Sequence, residues 1–172
     1  CRIPGPGTEL LINRKEEAEV YRTIQPLHIS EHIIYMNGDT GYKIAEYYEG
    51  ARNSRADDWD DVAKCMELVQ RLHNSGLTVA HEFNIRERIA FYEGLCAAHG
   101  GTRFEDYAEV RSHMNELMDQ LDAMQRPRVL SHIDSVADNF LFMPDGSVRL
   151  IDWVYAGMCD PLIDLSMCAL YS

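Results

Sequence analysis

The chain has 172 residues, 46% of them hydrophobic and 26% charged, a globular rather than a disordered composition that suits one domain or two small lobes. Its formal charge of −12 argues against nucleic acid as a partner, since a phosphate backbone is held by clustered Lys and Arg. A small phosphate ligand needs only a few donors and stays open, and the acidic balance would favour a cationic substrate.

In chain order, residues 1 to 12 read as a short strand or loop, and "PGPGT" within them as a tight turn rather than a phosphate loop, because the glycine spacing and the lysine of such a loop are missing. "NRKEEAEVYRTI" reads as a helix capped by Asn13, with Glu16 three positions on, and stopped by Pro26. "HIIYM" and "YKIAEYY" are strand runs joined by the turn "NGDTG", which predicts a hairpin. "EGARNSRA" is a polar connector and a candidate boundary between lobes. After it, "DDWDD" opens a helix whose dipole favours those carboxylates, with Trp59, Val62, Ala63, Met66, Val69 and His73 expected on one face and Gly76 as the stop. Further helices are expected over Arg86 to Ala98 and over Phe104 to Met124. In the latter, Tyr107, Val110, Met114, Leu117, Leu121 and Met124 step by threes and fours. "RVL", "FLFM" and "SVRLID" are short strands, the last two joined by "PDG", and "DPLIDLSMCALYS" begins a final helix. The order is a small β-rich lobe with one helix, a hinge, and a helical lobe carrying a hairpin.

No apolar run approaches the roughly 18 residues that span a bilayer, and no signal-peptide pattern opens the chain, so no membrane partner is expected. The five cysteines, Cys1, Cys65, Cys96, Cys159 and Cys168, form no CxxC pair, sit mostly within apolar patterns and read as buried, reduced thiols, which fits a cytoplasmic protein. His28 and His32 share an H-x-x-x-H spacing without other ligands nearby, which argues against zinc. His73 and His81 read as helix-end or packing residues. The chain opens without Met, at what reads as the end of a strand, and stops inside a helical pattern, so it is expected to be a piece of a longer protein.

The polar loop "SHIDSVADNF" carries chemistry. Phosphoryl transfer needs a carboxylate to orient the nucleophile's proton, hard oxygen ligands for Mg²⁺, and a cation for the phosphates. His132, Asp134 and Asn139 fit the H-x-D-x-x-x-x-N spacing of a kinase catalytic loop. Asp152, at the end of "SVRLID", stands where a hairpin would carry it back beside Asn139. A turn holding polar residues by chance is the competing reading of the loop alone; the hairpin and Asp152 argue against it. Arg2 with Glu17 would serve as the strand cation and helix carboxylate that fix a phosphate. Taken alone, an exposed end and a solvated helix face would also explain that pair.

On "RIPGPGTELLINRKEE", "SHIDSVADNF" and "LIDWVYAGMCDPLIDLSMCALYS", the chain resembles the choline/ethanolamine kinase branch of the aminoglycoside-phosphotransferase-like kinases, and most of all the bacterial choline kinases. The resemblance implies an α+β fold, a truncated two-lobed protein-kinase-like domain, with a partial N-lobe over 1–50 and a partial C-lobe over 51–172. It implies ATP and Mg²⁺ as cofactors and a small cationic alcohol as substrate, choline first. Asp134 would be the catalytic base and touch the substrate, Asn139 and Asp152 would bind Mg²⁺, and Arg2 and Glu17 would hold the nucleotide. Glu46, Tyr47 and Tyr48 would line the adenine hinge, and Tyr155 would lie near the alcohol. Asp160 and Asp164 would brace the loop. Val154 stands where relatives often have Glu, and Val136 where some place a polar contact; both weaken recognition of a quaternary ammonium. The aromatic cage and the first, nucleotide-clamping hairpin of such kinases would lie outside the chain, so weak nucleotide binding and little turnover are expected of it. Ethanolamine, an amino sugar or an aminoglycoside remain alternative substrates. A non-catalytic fragment that pairs with a second copy is a reading of a different class.

Overall fold

A computed structural model describes residues 1–101 and 104–170; Tyr171 and Ser172, the last two residues of the expected final helix, lie outside the described residues. The chain divides into two compact units, one of residues 1–83 and 128–172 and one of residues 84–127.

In the first unit, Pro4 to Leu10 form a tight turn that runs into a short 3-10 segment, Thr8–Leu10. Helix α1 (Arg14–Ile24) starts where Asn13 accepts hydrogen bonds from the backbone N–H groups of Lys15 and Glu16. A 3-10 turn that contains Pro26 ends it. Strands β1 (Ile33–Met36) and β2 (Lys43–Ala45) pair antiparallel with a bulge between Ile33 and Tyr35. Arg2 adds to the outer edge of this hairpin, its N–H 2.7 Å from the Lys43 carbonyl and its own carbonyl accepting from Lys43 N at 3.2 Å. The turn between the strands needs glycine at Gly41. Its φ is 75°, and a Cβ there would sit 2.7 Å from Pro4 Cγ, driving apart the hairpin and the segment that bears Arg2.

The polar connector holds a two-residue strand, β3 (Arg52–Asn53). Helix α2 (Trp59–His73) follows, with Asp58 as its N-cap. Its inward face differs from the one periodicity suggests. Asp61, Cys65, Leu68, Val69 and Leu72 are buried, whereas Trp59 is 84% exposed. The shift has a physical cause: Asp61 is drawn inward by a bidentate pair with Arg52 (2.5 and 2.8 Å) and by the Arg55 backbone N–H (3.0 Å). Strand β4 (Val129–Ser131) pairs with β7 (Gly157–Cys159), a strand too short to be seen in the sequence. Between them run β5 (Phe140–Phe142) and β6 (Val148–Leu150), which join β3 in a three-stranded antiparallel sheet. Helix α5 (Leu162–Leu170) closes the described chain. Val20, Ile24, Leu72, Leu150 and Trp153, each 0% exposed, form the middle of this unit's core. Burial of such side chains, at roughly 1.5–3 kcal/mol each, is its main source of stability.

The second unit is a pair of helices, α3 (Ile85–Ala98) and α4 (Tyr107–Ala123). Arg86 of α3 bonds Asp119 and Asp122 of α4, and Arg111 bonds Glu93. Met118 is the buried residue of α4. The stepping residues Val110, Met114, Leu117 and Leu121 are exposed along it.

No helix among the described residues is long and apolar enough to cross a membrane.

Candidate active site

Strand β4 delivers the chain into the loop His132–Asn139, and β5 takes it away. His132 is fully buried. Its Nε2–H donates to the Ile151 carbonyl at 2.9 Å and its ring meets Trp153 edge-on, with centroids 4.6 Å apart. Burial pushes the His132 pKa below its ordinary value against the pull of Asp164, so the ring is a neutral structural pin. Asp164, on the first turn of α5, has no exposed surface. Its carboxylate accepts from His132 N (3.0 Å), Ile133 N (2.7 Å) and His73 Nε2 (2.8 Å). Its carbonyl takes the Ser135 hydroxyl at 2.7 Å. The loop therefore hangs from one buried carboxylate just before Asp134.

Asp134 is half-buried. Asn139 Nδ2 donates to the Asp134 carbonyl at 2.7 Å and to Oδ2 at 3.1 Å, which fixes the carboxylate and leaves Asn139 Oδ1 as an acceptor. The Ile151 N–H bonds the Asn139 carbonyl at 2.9 Å, so the β5–β6 hairpin returns the chain to Asn139 one residue before Asp152. Asp152 is exposed and has φ 64°; Ile133, beside Asp134, has φ 74°. A recess of about 550 Å³ opens at Asp134 and is lined in part by Val136 and Met167.

A second cavity, of about 470 Å³, is lined by Arg2, Glu31, Lys43, Glu46, Tyr47, Tyr48, Leu141, Ile151 and Asp152 among others. Polar groups and an apolar floor thus share one cleft, a common form for a ligand site. The Arg2 guanidinium grips Glu17 with both Nη atoms, at 2.5 and 2.7 Å, and Arg14 adds a third contact at 3.2 Å. Glu17 is buried. Burial works against the charge of Arg2, but the pairing with Glu17 outweighs it and the pKa is raised. Tyr48 accepts the His32 N–H at 2.8 Å, and Tyr47 is 87% exposed at the cleft mouth.

Of the residues singled out in the sequence, Asp134, Asn139 and Asp152 come together at the loop and hairpin. Arg2, Glu46, Tyr47 and Tyr48 line one cleft with Asp152, and Glu17 stands behind Arg2. Tyr155 is half-buried in the turn after Trp153 and lines neither cavity. Two residues of the cleft escape sequence reading, Lys43 and Glu31. Their signal was faint: a charge inside the strand run "YKIAEYY" and another just before "HIIYM".

The sequence pattern of the phosphotransferase enzyme family (APH) matches residues 3–172. The chain belongs to this family. Protein LicA of Haemophilus influenzae is 26% identical to this phosphotransferase-family chain over 177 residues, covering 96% of the chain and 49% of LicA. The chain thus spans about half the length of that relative. Choline kinase LicA from Streptococcus pneumoniae superposes with a TM-score of 0.88 at 30% identity, covering 99% of this chain and 60% of that one. A structure of LicA in complex with AMP matches with the same score and identity. A choline/ethanolamine kinase family protein from Mesorhizobium loti follows at a TM-score of 0.81 and 27% identity, covering 96% of this chain and 55% of its own. The α+β architecture is that of these kinases.

Proposed function

We propose that this protein transfers the terminal phosphoryl group of ATP to the hydroxyl of a small alcohol, with choline as the first acceptor. The observation that carries the reading is the Asn139 amide bonded to Asp134 on one side while the hairpin brings Asp152 to the other, beside the cleft that holds Arg2. The resemblance to choline kinase LicA and to its AMP complex supports the choice of nucleotide and acceptor.

The donor set suits Mg²⁺. Asn139 Oδ1 is left open by the hydrogen bonds of its Nδ2, and the Asp152 carboxylate is exposed next to it. Mg²⁺ is commonly held by one or two protein oxygens with phosphates and water completing the shell. Bound there, it would neutralise phosphate charge as the phosphoryl group moves. The chain's own residues do the rest. Arg2, held rigid by Glu17, faces the phosphates, and Glu46, Tyr47 and Tyr48 pack at the adenine end. Asp134 Oδ2 is occupied by Asn139, so Oδ1 accepts the alcohol's proton as its oxygen bonds to phosphorus and the bond to ADP breaks. The family resemblance alone assigns Tyr155 to the alcohol side, since it lines neither cavity.

The test is ADP release by the full-length protein with MgATP and choline, ethanolamine or an aminoglycoside in turn. Choline should stimulate most. Asp134→Ala should lower turnover roughly 10²- to 10⁴-fold with nucleotide affinity kept. No stimulation by any acceptor refutes the small-alcohol reading, and turnover retained in the variant refutes the role of Asp134.

A further inference from the structure

We propose that Lys43 is a second phosphate-facing cation of the nucleotide cleft, held in place by Glu31 and Tyr21. The proposal rests on the phosphotransferase reading and adds to it a residue that the loop and hairpin motifs do not contain.

Lys43 is the first residue of β2 and lines the cleft with Arg2 and Asp152. Its side chain is only 11% exposed. The ammonium donates to the Tyr21 hydroxyl at 2.8 Å and to Glu31 Oε1 at 2.9 Å. Tyr21 in turn donates its hydroxyl proton to the same Glu31 oxygen at 2.5 Å. Burial, with Glu31 beside it, pushes the Tyr21 pKa far up, so the phenol keeps its proton and the ring of bonds has one consistent assignment. Among the described residues the rest of the ammonium meets Glu17 Oε1 at 4.0 Å, outside hydrogen-bond distance, and the Tyr21 ring, whose centroid is 4.7 Å from Nζ.

Two features separate this arrangement from an ordinary buried ion pair. Arg2 has committed both Nη atoms to Glu17, and Nη2 also to the Gly41 carbonyl, while its Nε is buried without a hydrogen-bond partner among the described residues, so its outer fork is turned to Glu17 rather than to a ligand. Three cations, Arg2, Arg14 and Lys43, meet two carboxylates, Glu17 and Glu31, so these ion pairs carry one net positive charge, which without Lys43 would be none; it faces Asp152, the carboxylate proposed for Mg²⁺, across the same cleft. Glu31 Oε2 is buried without a hydrogen-bond partner among the described residues, so Glu31 spends its bonds on one oxygen. Carboxylate and phenol hold the ammonium at the cleft wall while its last donor stays available. A group of phosphate oxygens is the ligand chemistry that such a donor and such a net charge suit.

The experiment compares binding of MgADP and of adenosine by the full-length protein and its variants, by calorimetry. Lys43→Met should weaken MgADP roughly ten- to a hundredfold and leave adenosine within about twofold. Lys43→Arg should recover part of the loss. Equal MgADP affinity in Lys43→Met overturns the proposal, and so does an equal loss for both ligands, which would mean that Lys43 only holds the cleft's shape. If Lys43→Met fails to fold because Glu31 is left buried and unpaired, Lys43→Met with Glu31→Gln removes both charges and is judged by the same two ligands. A wild-type chain that binds neither ligand overturns the nucleotide reading itself. Wild-type binding with no change in the variants overturns only Lys43.

Discussion

Asp164→Ala is the substitution with the largest expected effect outside the proposed chemistry. Its carboxylate is the acceptor for the His132 and Ile133 backbone N–H groups and for the ring of His73. His132 and Ile133 are both buried, so water cannot easily replace the lost acceptor. Each stranded buried N–H costs about 1–3 kcal/mol, and the lost histidine bond about 1 more, for a total of roughly 3–7 kcal/mol. Against a total stability of about 5–15 kcal/mol, that is a large fraction. With a urea m-value near 2 kcal/mol/M the midpoint should fall by at least about 1.5 M. Asp164→Asn keeps one carbonyl oxygen and should lie between wild type and Ala. Urea unfolding followed by the fluorescence of buried Trp153 reads the midpoint directly. A loss below about 1 kcal/mol for Asp164→Ala would refute the claim that this carboxylate suspends the loop. Turnover measured below the transition should also fall, because the two bonds fix the residues just before Asp134.

Asp152→Ala should weaken ADP binding about tenfold in the presence of Mg²⁺ and leave it unchanged when the metal is chelated; equal loss under both conditions would deny a metal role. The pH dependence of stability is set in part by His132. Burial holds its folded-state pKa below the ordinary value of 6.5, so below that pH the unfolded chain binds more protons than the folded one. The stability it contributes is complete above about pH 6.5 and is lost as pH falls from there. The advantage of wild type over His132→Asn should therefore shrink as pH is lowered from about 7.5 to about 5.5, and parallel unfolding curves would contradict the assignment.

The local elements were readable because their signals are short-range. Asn13 and Asp58 cap helices through bonds two and three residues away, and "NGDTG" makes its turn from its own side chains and glycines. The spacing of Asp134 and Asn139 was readable for the same reason, since the Asn139 amide closes on a loop five residues long. What stayed hidden depends on contacts between distant segments. Lys43 looks like any charged strand residue until Tyr21 and Glu31, 22 and 12 positions away, turn it into the cleft. The face of α2 was misjudged because periodicity counts Trp59 as apolar and Asp61 as polar, whereas Arg52 and Arg55 draw Asp61 inward. In α4 the stripe was seen, but a stripe does not say that its residues are covered, and from Val110 to Met124 they are not. The bracing role of Asp164 was expected from family likeness; its three donors come from α2 and from the loop after β4, and no spacing in the sequence announces them.

Ile133 and Asp152 both sit in left-handed backbone, a region that disfavours L side chains by about 1–2 kcal/mol per residue. The chain accepts that strain once, on folding. At position 152 the two demands on the protein point in opposite directions. A glycine would relax the backbone but remove a carboxylate. Selection for durability alone would carry that position toward glycine, and the most heat-resistant descendant of this chain would have surrendered a side chain that its proposed chemistry requires.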